Sequence, residues 1–280
     1  MPKLSYLVST YNAGHFLDGH LADLLERQTD RDFEIVIVNP NSPGTDEIVA
    51  QKWAEIDPRV KYVYYEQREW YGASWVRAWR HAGGEFVTNS NTDDFHAPRF
   101  TEVMHKYMSI ATSKMQTVKN EVAFGYAGLH VIDEKKKIIG GGHRPPFSFE
   151  KMSYECGAGP QVCWRNDDRF KSKLDWDLID LRANTYRSAF DYWLWLYFMS
   201  LGYHGVSVPE ILTVYMQRAD SIENSNKWQN NWETFAAISE FFPHHFLGYL
   251  KHASEFSDFK NLPDKDAWIS TMREGKKWKQ

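Results

Sequence analysis

A chain of 280 residues that is 42% hydrophobic and 25% charged is long enough for one large domain or two small ones, and its composition excludes a disordered chain and a coiled coil. Lys and Arg number 33 against 37 Asp and Glu, a formal charge of −4, so there is no global positive field for nucleic acid and a polyanion would need a local patch. The longest apolar run, Tyr192 to Met199, falls far short of the ~20 residues of a spanning helix, and MPKLSYLVSTYN turns polar too early for a signal peptide. A soluble, cytoplasmic protein without a membrane span is expected. Cys156 and Cys163 are too few for a disulfide scaffold or a zinc site and are expected as reduced thiols.

In chain order, β-rich runs at 4–10, 33–38, 60–65 and 85–88 alternate with helically spaced segments at 16–26, 46–55 and 72–82. That alternation predicts a parallel sheet covered on both faces. Ligands of open α/β sheets sit beyond the carboxyl ends of the strands, which places Thr10-Tyr11-Asn12, the loop from Asn39 to Gly44 and the loop from Asn89 to Asp94 on one rim. A helix is predicted after Pro98 to about residue 113, then two strands at 122–132 and 137–140 joined by a turn. Gly140-Gly141-Gly142-His143-Arg144-Pro145-Pro146 reads as a loop. A ring-rich helix over 188–201 ends at Gly202, strand-like pieces surround Pro209, and the chain from about 224 is mostly helical.

Asp93-Asp94 lies on the ligand rim, where a carboxylate suits a hard divalent cation that takes its other ligands from substrate phosphates. The competing reading is a cap for the helix entered near Pro98; the rim position and Asn91 favour the metal. Asp191 opens an otherwise apolar helix, which suits either a cap or a general base with a pKa raised by its neighbours. Arg68, Arg77 and Arg218 can each fork onto a diphosphate or remain solvated surface residues. The basic end from Arg273 to Lys279 reads as a frayed tail. His96, His143 and His204 lack the spacing of a zinc helix.

As an ordered set, SYLVSTYNAGHFLDGHLADLLERQ, EIVIVNPNSPGTDEIV, REWYGASWVRAWRHAGGEFVTNSNTDD, GAGPQVCWR and SAFDYWLWLYFMSLGY resemble the inverting family 2 glycosyltransferases of the GT-A fold, over about residues 4 to 223. The third stretch is similar to a branch that reads Ser-Trp and then Asn-x-Asp-Asp in place of Asp-x-Asp. The resemblance implies an α/β fold with a mostly parallel, Rossmann-like sheet flanked by helices: a GT-A domain over 1–223, with a donor half to about 115 and an acceptor half from 116, and a C-terminal helical extension over 224–280. It implies a nucleotide-sugar donor, a UDP-sugar by preference, with Mn²⁺ or Mg²⁺ on its diphosphate. Asp93 matches the metal-binding acid, Asn91 replaces the first Asp of the motif, and Asp191 matches the base that deprotonates the acceptor. Thr10, Tyr11, Asn12, Asn39, Asn41, Arg68, Ser74, Arg77, Asn91, Thr92, Asp93 and Arg218 fall on the donor side, and Trp164, Tyr192 and Trp193 on the acceptor side.

This chain departs from the family pattern at Asn39-Pro40, where Asp-Asp is usual; an Asn there can still pair with a uracil edge. Arg218 stands where a late His is frequent, and Tyr197 and Trp75 stand where Arg is frequent. A nucleotidyltransferase would want a Gly-rich loop with Arg or Lys after the first strand, which STYNAGHFL lacks. A catalytically inactive protein that binds sugar nucleotides is the other alternative. A saccharide leads as acceptor, ahead of a protein side chain or a modified DNA base. The rings of Trp164, Trp176, Trp193, Trp195, Trp228 and Trp232 can stack on an acceptor or on one another.

Overall fold

In the computed structural model, which describes residues 1–114, 121–159, 161–219, 221 and 227–245, the alternation of periods becomes alternating strands and helices. Leu4–Ser9 (β1), Phe33–Pro40 (β2), Val60–Tyr65 (β3) and Phe86–Asn89 (β4) are parallel, in the order β3-β2-β1-β4, and Gly14–Arg27 (α1), Asp46–Ile56 (α2) and Tyr71–His81 (α3) connect them. Every residue of β2 is buried, as expected where helices cover both faces of a sheet. Period two divides the strands cleanly. Leu7, Val36 and Val38 face one cluster with α3, while Tyr6, Val8, Ile35 and Ile37 face another with α1 and α2.

The second half is less parallel than the sequence suggests. Val162–Arg165 (β8) runs antiparallel between β4 and Val122–Ile132 (β6). His204–Met216 (β9) is parallel to β6, Phe95–His96 (β5) closes that edge antiparallel, and Ile138–Gly142 (β7) forms a hairpin with β6. The pieces around Pro209 are one strand: Val208 pairs with Ala127 and Ile211 with Gly128, so Pro209 and Glu210 bulge out of a ladder to which Pro has no N–H to offer.

Phe100–Lys114 (α4) covers the α1 face. The other face carries Trp176–Thr185 (α7), Phe190–Ser200 (α8) and Lys227–Phe241 (α9), and the short turns Phe149–Met152 (α5) and Asp168–Lys171 (α6) also feed its core. From Tyr192 to Met199 helix α8 is apolar all round and correspondingly buried on all sides. Trp79 joins α3, β8, α7 and α8, with ring centroids 5.5 Å from Trp164, 4.9 Å from Trp176 and 6.3 Å from Phe198, and its indole N–H donates to Asn166 at 2.9 Å. Truncating such a ring to Ala typically costs about 3–5 kcal/mol. Gly72 lets α3 approach α8: a Cβ there would stand 2.6 Å from the Phe190 ring.

Of the expected C-terminal extension only 227–245 is described; its remainder and the basic end from Arg273 to Lys279 lie outside the described residues, as does the ring of Trp228. In the described part, Phe235, Ala237 and Ile238 pack into the same core as α8.

Candidate active site

The carboxyl ends of the parallel strands open into a cavity of about 580 Å³. Tyr11 and Asn12 after β1, Arg68 and Trp70 after β3, Asn91, Thr92 and Asp93 after β4, and Tyr215, Met216 and Arg218 at the end of β9 line it. Asn12 and Asn41 both adopt positive φ, 53° and 52°, a conformation Asn tolerates better than most residues. Asp46, at the start of α2, ties these loops together. Its carboxylate accepts from the Thr10 hydroxyl, from the Ala13 N–H at 3.0 Å and from the Ser42 hydroxyl at 2.8 Å. Burial opposes charge on Asp46, but these hydrogen bonds prevail and hold its pKa below the usual carboxylate value.

After β4 the two acids diverge. Asp94 is fully buried, accepting from the Asn91 amide at 2.9 Å and the Met216 N–H at 3.0 Å, so it braces the loop and does not cap α4. Burial first, and then the charge of Asp93, push its pKa well up. Asp93 stays on the cavity wall, where Oδ2 accepts from Arg218 at 3.0 Å. The Arg218 guanidinium lies 4.8 Å from the centre of the Phe16 ring. From α1, buried His20 reaches the same loop, meeting the Ser90 hydroxyl at 2.9 Å and the Asp94 carbonyl at 3.1 Å, and burial lowers its pKa to about 4. Arg68 lies over the rings of Tyr11 and Trp70, at 4.6 and 5.4 Å. Among the described residues no three His, Cys, Asp or Glu side chains gather into a metal-binding group. The hard oxygens of Asp93 therefore fit a cation only as one protein carboxylate among ligands drawn from a bound diphosphate.

A second cavity of about 290 Å³ adjoins the first. Asp191, Ser188 and Tyr215 line both, so the half-buried carboxylate at the start of α8 stands on the boundary. The second cavity is further bounded by Arg144, Cys156 and Gly159, by Tyr192, and by Asn230 and Thr234 of α9. The segment that delivers Asp191 is capped from outside its own helix. Ala189, the N-cap residue, supplies no side-chain bond. Instead the Glu233 carboxylate of α9 accepts from the backbone N–H groups of Arg187, Ser188 and Ala189 at 2.7–3.1 Å and from the Ser188 hydroxyl at 2.9 Å.

With this geometry in hand, residues 5–122 match the model of the family described as "Glycosyl transferase family 2". Over those residues the chain is similar to that family. An uncharacterized glycosyltransferase of Methanocaldococcus jannaschii is 29% identical over 140 residues, 49% of this chain and 45% of that protein. The chain spans less than half the length of each of the curated relatives it matches. Among solved structures, S. aureus TarS 1–349 in complex with UDP-GlcNAc superposes with a TM-score of 0.64 at 16% identity, over 91% of this chain and 73% of that one. The mannosyltransferase PcManGT from Pyrobaculum calidifontis in complex with GDP-Man and Mn²⁺ gives 0.59 at 16% identity, over 99% of this chain and 76% of that one. The fold is GT-A.

Not every residue drawn from the family 2 pattern reaches the cavities. Tyr11, Asn12, Arg68, Asn91, Thr92, Asp93, Arg218 and Asp191 do. Thr10 is buried on Asp46. Asn39 is fully buried, its amide N–H₂ donating to the Tyr62 hydroxyl and its oxygen accepting from the Ser42 N–H, so no edge remains for a uracil. Asn41 is outside the cavity lining, joined to the Glu66 carbonyl and the Tyr64 hydroxyl. Ser74 is buried in α3. Arg77 forks onto Glu69, with Nε to Oε2 at 2.6 Å, and lies 3.4 Å from the Tyr65 ring centre; Glu69, not Arg77, lines the cavity. Trp164 and Trp193 are sealed in the core at 1% and 0% exposure, so neither can stack on an acceptor. Trp195 is buried likewise, while Trp176 packs on Trp79 and Trp232 on Phe235. Tyr192 touches the second cavity, but its hydroxyl donates to the Met152 carbonyl. Asp46 and Glu233 were not singled out from sequence, because an acid in an ordinary helix carries no sign of the distant loop it holds.

Proposed function

We propose that this chain transfers a glycosyl group from a nucleoside-diphosphate sugar, by preference a UDP-sugar, to an acceptor hydroxyl, with a saccharide as the leading acceptor and Asp191 as general base. The observation that carries this reading is the placement of Asp191 on the wall shared by the two cavities. Donor in the larger cavity and acceptor in the smaller one would meet at that carboxylate. The acceptor oxygen forms a bond to the anomeric carbon as the bond from that carbon to the diphosphate oxygen breaks. The proton goes to Asp191, and the bonding electron pair leaves with the diphosphate. A single displacement of this kind inverts the anomeric centre.

Arg68 and Arg218 supply positive charge to the diphosphate, in the bidentate geometry guanidinium groups favour. Asp93 would hold Mn²⁺ or Mg²⁺, and such an ion neutralises charge on the departing diphosphate. Stacking on Tyr11 and Trp70 keeps Arg68 on the cavity wall. The names of the structural neighbours, with UDP-GlcNAc in one and GDP-Man with Mn²⁺ in the other, support a nucleotide-sugar donor and a metal. Free Cys156 and Cys163 suit a cytoplasmic setting, and among the described residues no helix is long and apolar enough to cross a membrane.

Asp191→Asn tests the assignment. Asn keeps the size and an oxygen for the local bond to the Tyr192 N–H, 2.8 Å away, but cannot take up the proton. The variant should fold, bind UDP as the native protein does, and transfer sugar at least ~10²-fold more slowly, the low end of what a positioned base contributes. Full transfer activity in the variant would remove Asp191 from the mechanism. A native protein that binds UDP but neither transfers nor hydrolyses any donor in a broad panel would instead be a sugar-nucleotide-binding protein.

A further inference from the structure

Arg144 sits in the Gly- and Pro-rich loop after β7 and lines the smaller cavity, as Asp191 does. Its surroundings are unusual for an arginine. Nε is buried with no hydrogen-bond partner, and among the described residues no carboxylate pairs with the guanidinium. A buried guanidinium N–H without an acceptor is costly, so such a group is usually paired. The guanidinium is also held in place: it packs on Gly159, whose φ of +79° suits glycine, and a Cβ there would come within 2.7 Å of Nη2. Both Arg144 and Asp191 act on the half-buried Cys156 thiol, Asp191 raising its pKa and Arg144 lowering it, although desolvation is the largest influence and pushes the thiol up to about 12. The cation and the proposed base therefore flank one small cavity.

Resting on the proposed function above, we infer that Arg144 selects an acceptor bearing an anionic group, a carboxylate or a phosphate, and that binding this group turns the acceptor hydroxyl toward Asp191. An anion in the cavity supplies the counterion that the guanidinium lacks among the described residues, and a planar fork recognises two oxygens of either group. A neutral sugar offers hydroxyls, which leave the charge without a counterion.

The test uses the full chain saturated with UDP and three matched probes: methyl glucoside, methyl glucuronide and methyl glucoside 6-phosphate. Their binding is measured calorimetrically to the native protein, to Arg144→Gln and to Arg144→Lys. The native protein should bind at least one anionic probe about tenfold or more tightly than the neutral one, and the tighter of the two identifies carboxylate or phosphate as the group recognised. Arg144→Gln should bind all three alike, with its melting temperature and UDP affinity retained, and Arg144→Lys should keep part of the preference. Equal binding of all three by the native protein, a preference that survives Arg144→Gln, or anionic probes that bind only by displacing UDP would each overturn the inference. Donor turnover is read separately with Asp191→Asn, so loss of the proposed activity and loss of the anionic preference are distinguishable results.

Discussion

Arg218 and Asp93 lie 125 residues apart in the chain and 3.0 Å apart in space. The guanidinium rests on Phe16 and projects into the larger cavity beside the loop after β4, where a diphosphate would gain a charge-assisted contact. Arg218→Ala is expected to weaken UDP binding by about 1.5–3 kcal/mol while uridine binding changes little, because only the diphosphate meets the guanidinium. Titration calorimetry with both ligands checks this, and equal losses would make Arg218 a structural residue. At this scale the sequence was legible for side chains that need only to sit on the rim, such as Asp93, Asn12 and Arg68. It misled for Asn39, Asn41 and Arg77. Loop position is visible in a sequence, whereas the turn bonds and ion pair that occupy these three side chains depend on Ser42, Tyr64 and Glu69 as placed by the fold. Aromatic residue type failed for a related reason: Trp164 and Trp193 have the chemistry of an acceptor platform and the burial of a core.

Between elements, the decisive contact runs from α9 to the start of α8. Glu233 takes up three backbone N–H groups and a hydroxyl just ahead of Asp191, fixing the entry of the helix that carries it. Replacing Glu233 by Gln leaves the shape but removes the charge and one acceptor oxygen, so some of these donors lose their partner. The variant is expected to be less stable by about 1–3 kcal/mol, and to lose kcat while its UDP affinity stays native, since the loops after β1, β3 and β4 are untouched. Denaturant unfolding and the split between kcat and UDP binding check it; an unchanged kcat in a destabilised protein would confine Glu233 to stability. The regular α/β alternation of the first hundred residues could be read from its two periods. Beyond it, β5, β8, α5 and α6 are two to four residues long, too short for a period to declare itself, and α7 has weak amphipathicity because it buries only Ile179 and Ala183 and leaves Leu181 exposed. The Pro209 bulge divided β9 in the sequence pattern but not in the sheet.

For the whole molecule, the larger cavity is assembled from distant parts of the chain: the loops after β1, β3 and β4, the end of β9, and α8. A ligand that bridges them binds the folded state and has no counterpart in the unfolded chain, so occupancy adds to global stability by mass action, about 2.7 kcal/mol at a hundredfold excess over Kd. Asp93 is one carboxylate, paired with Arg218, and among the described residues no further acidic, His or Cys side chains complete a metal site around it. A divalent cation should therefore bind weakly without a diphosphate to supply further oxygens, and diphosphate should bind less tightly without the cation to offset its charge. UDP and Mn²⁺ together are expected to raise the melting temperature by more than the sum of their separate effects. Asp93→Ala should abolish that excess while leaving a smaller stabilisation by UDP alone, since the arginines and the β1 loop remain. Thermal unfolding of the full chain with UDP, Mn²⁺, both, or UDP with a chelator measures each term. Equal stabilisation by UDP with Mn²⁺ and with chelator would show that Arg218 and Arg68 neutralise the diphosphate unaided, and would assign Asp93 to holding Arg218 in place.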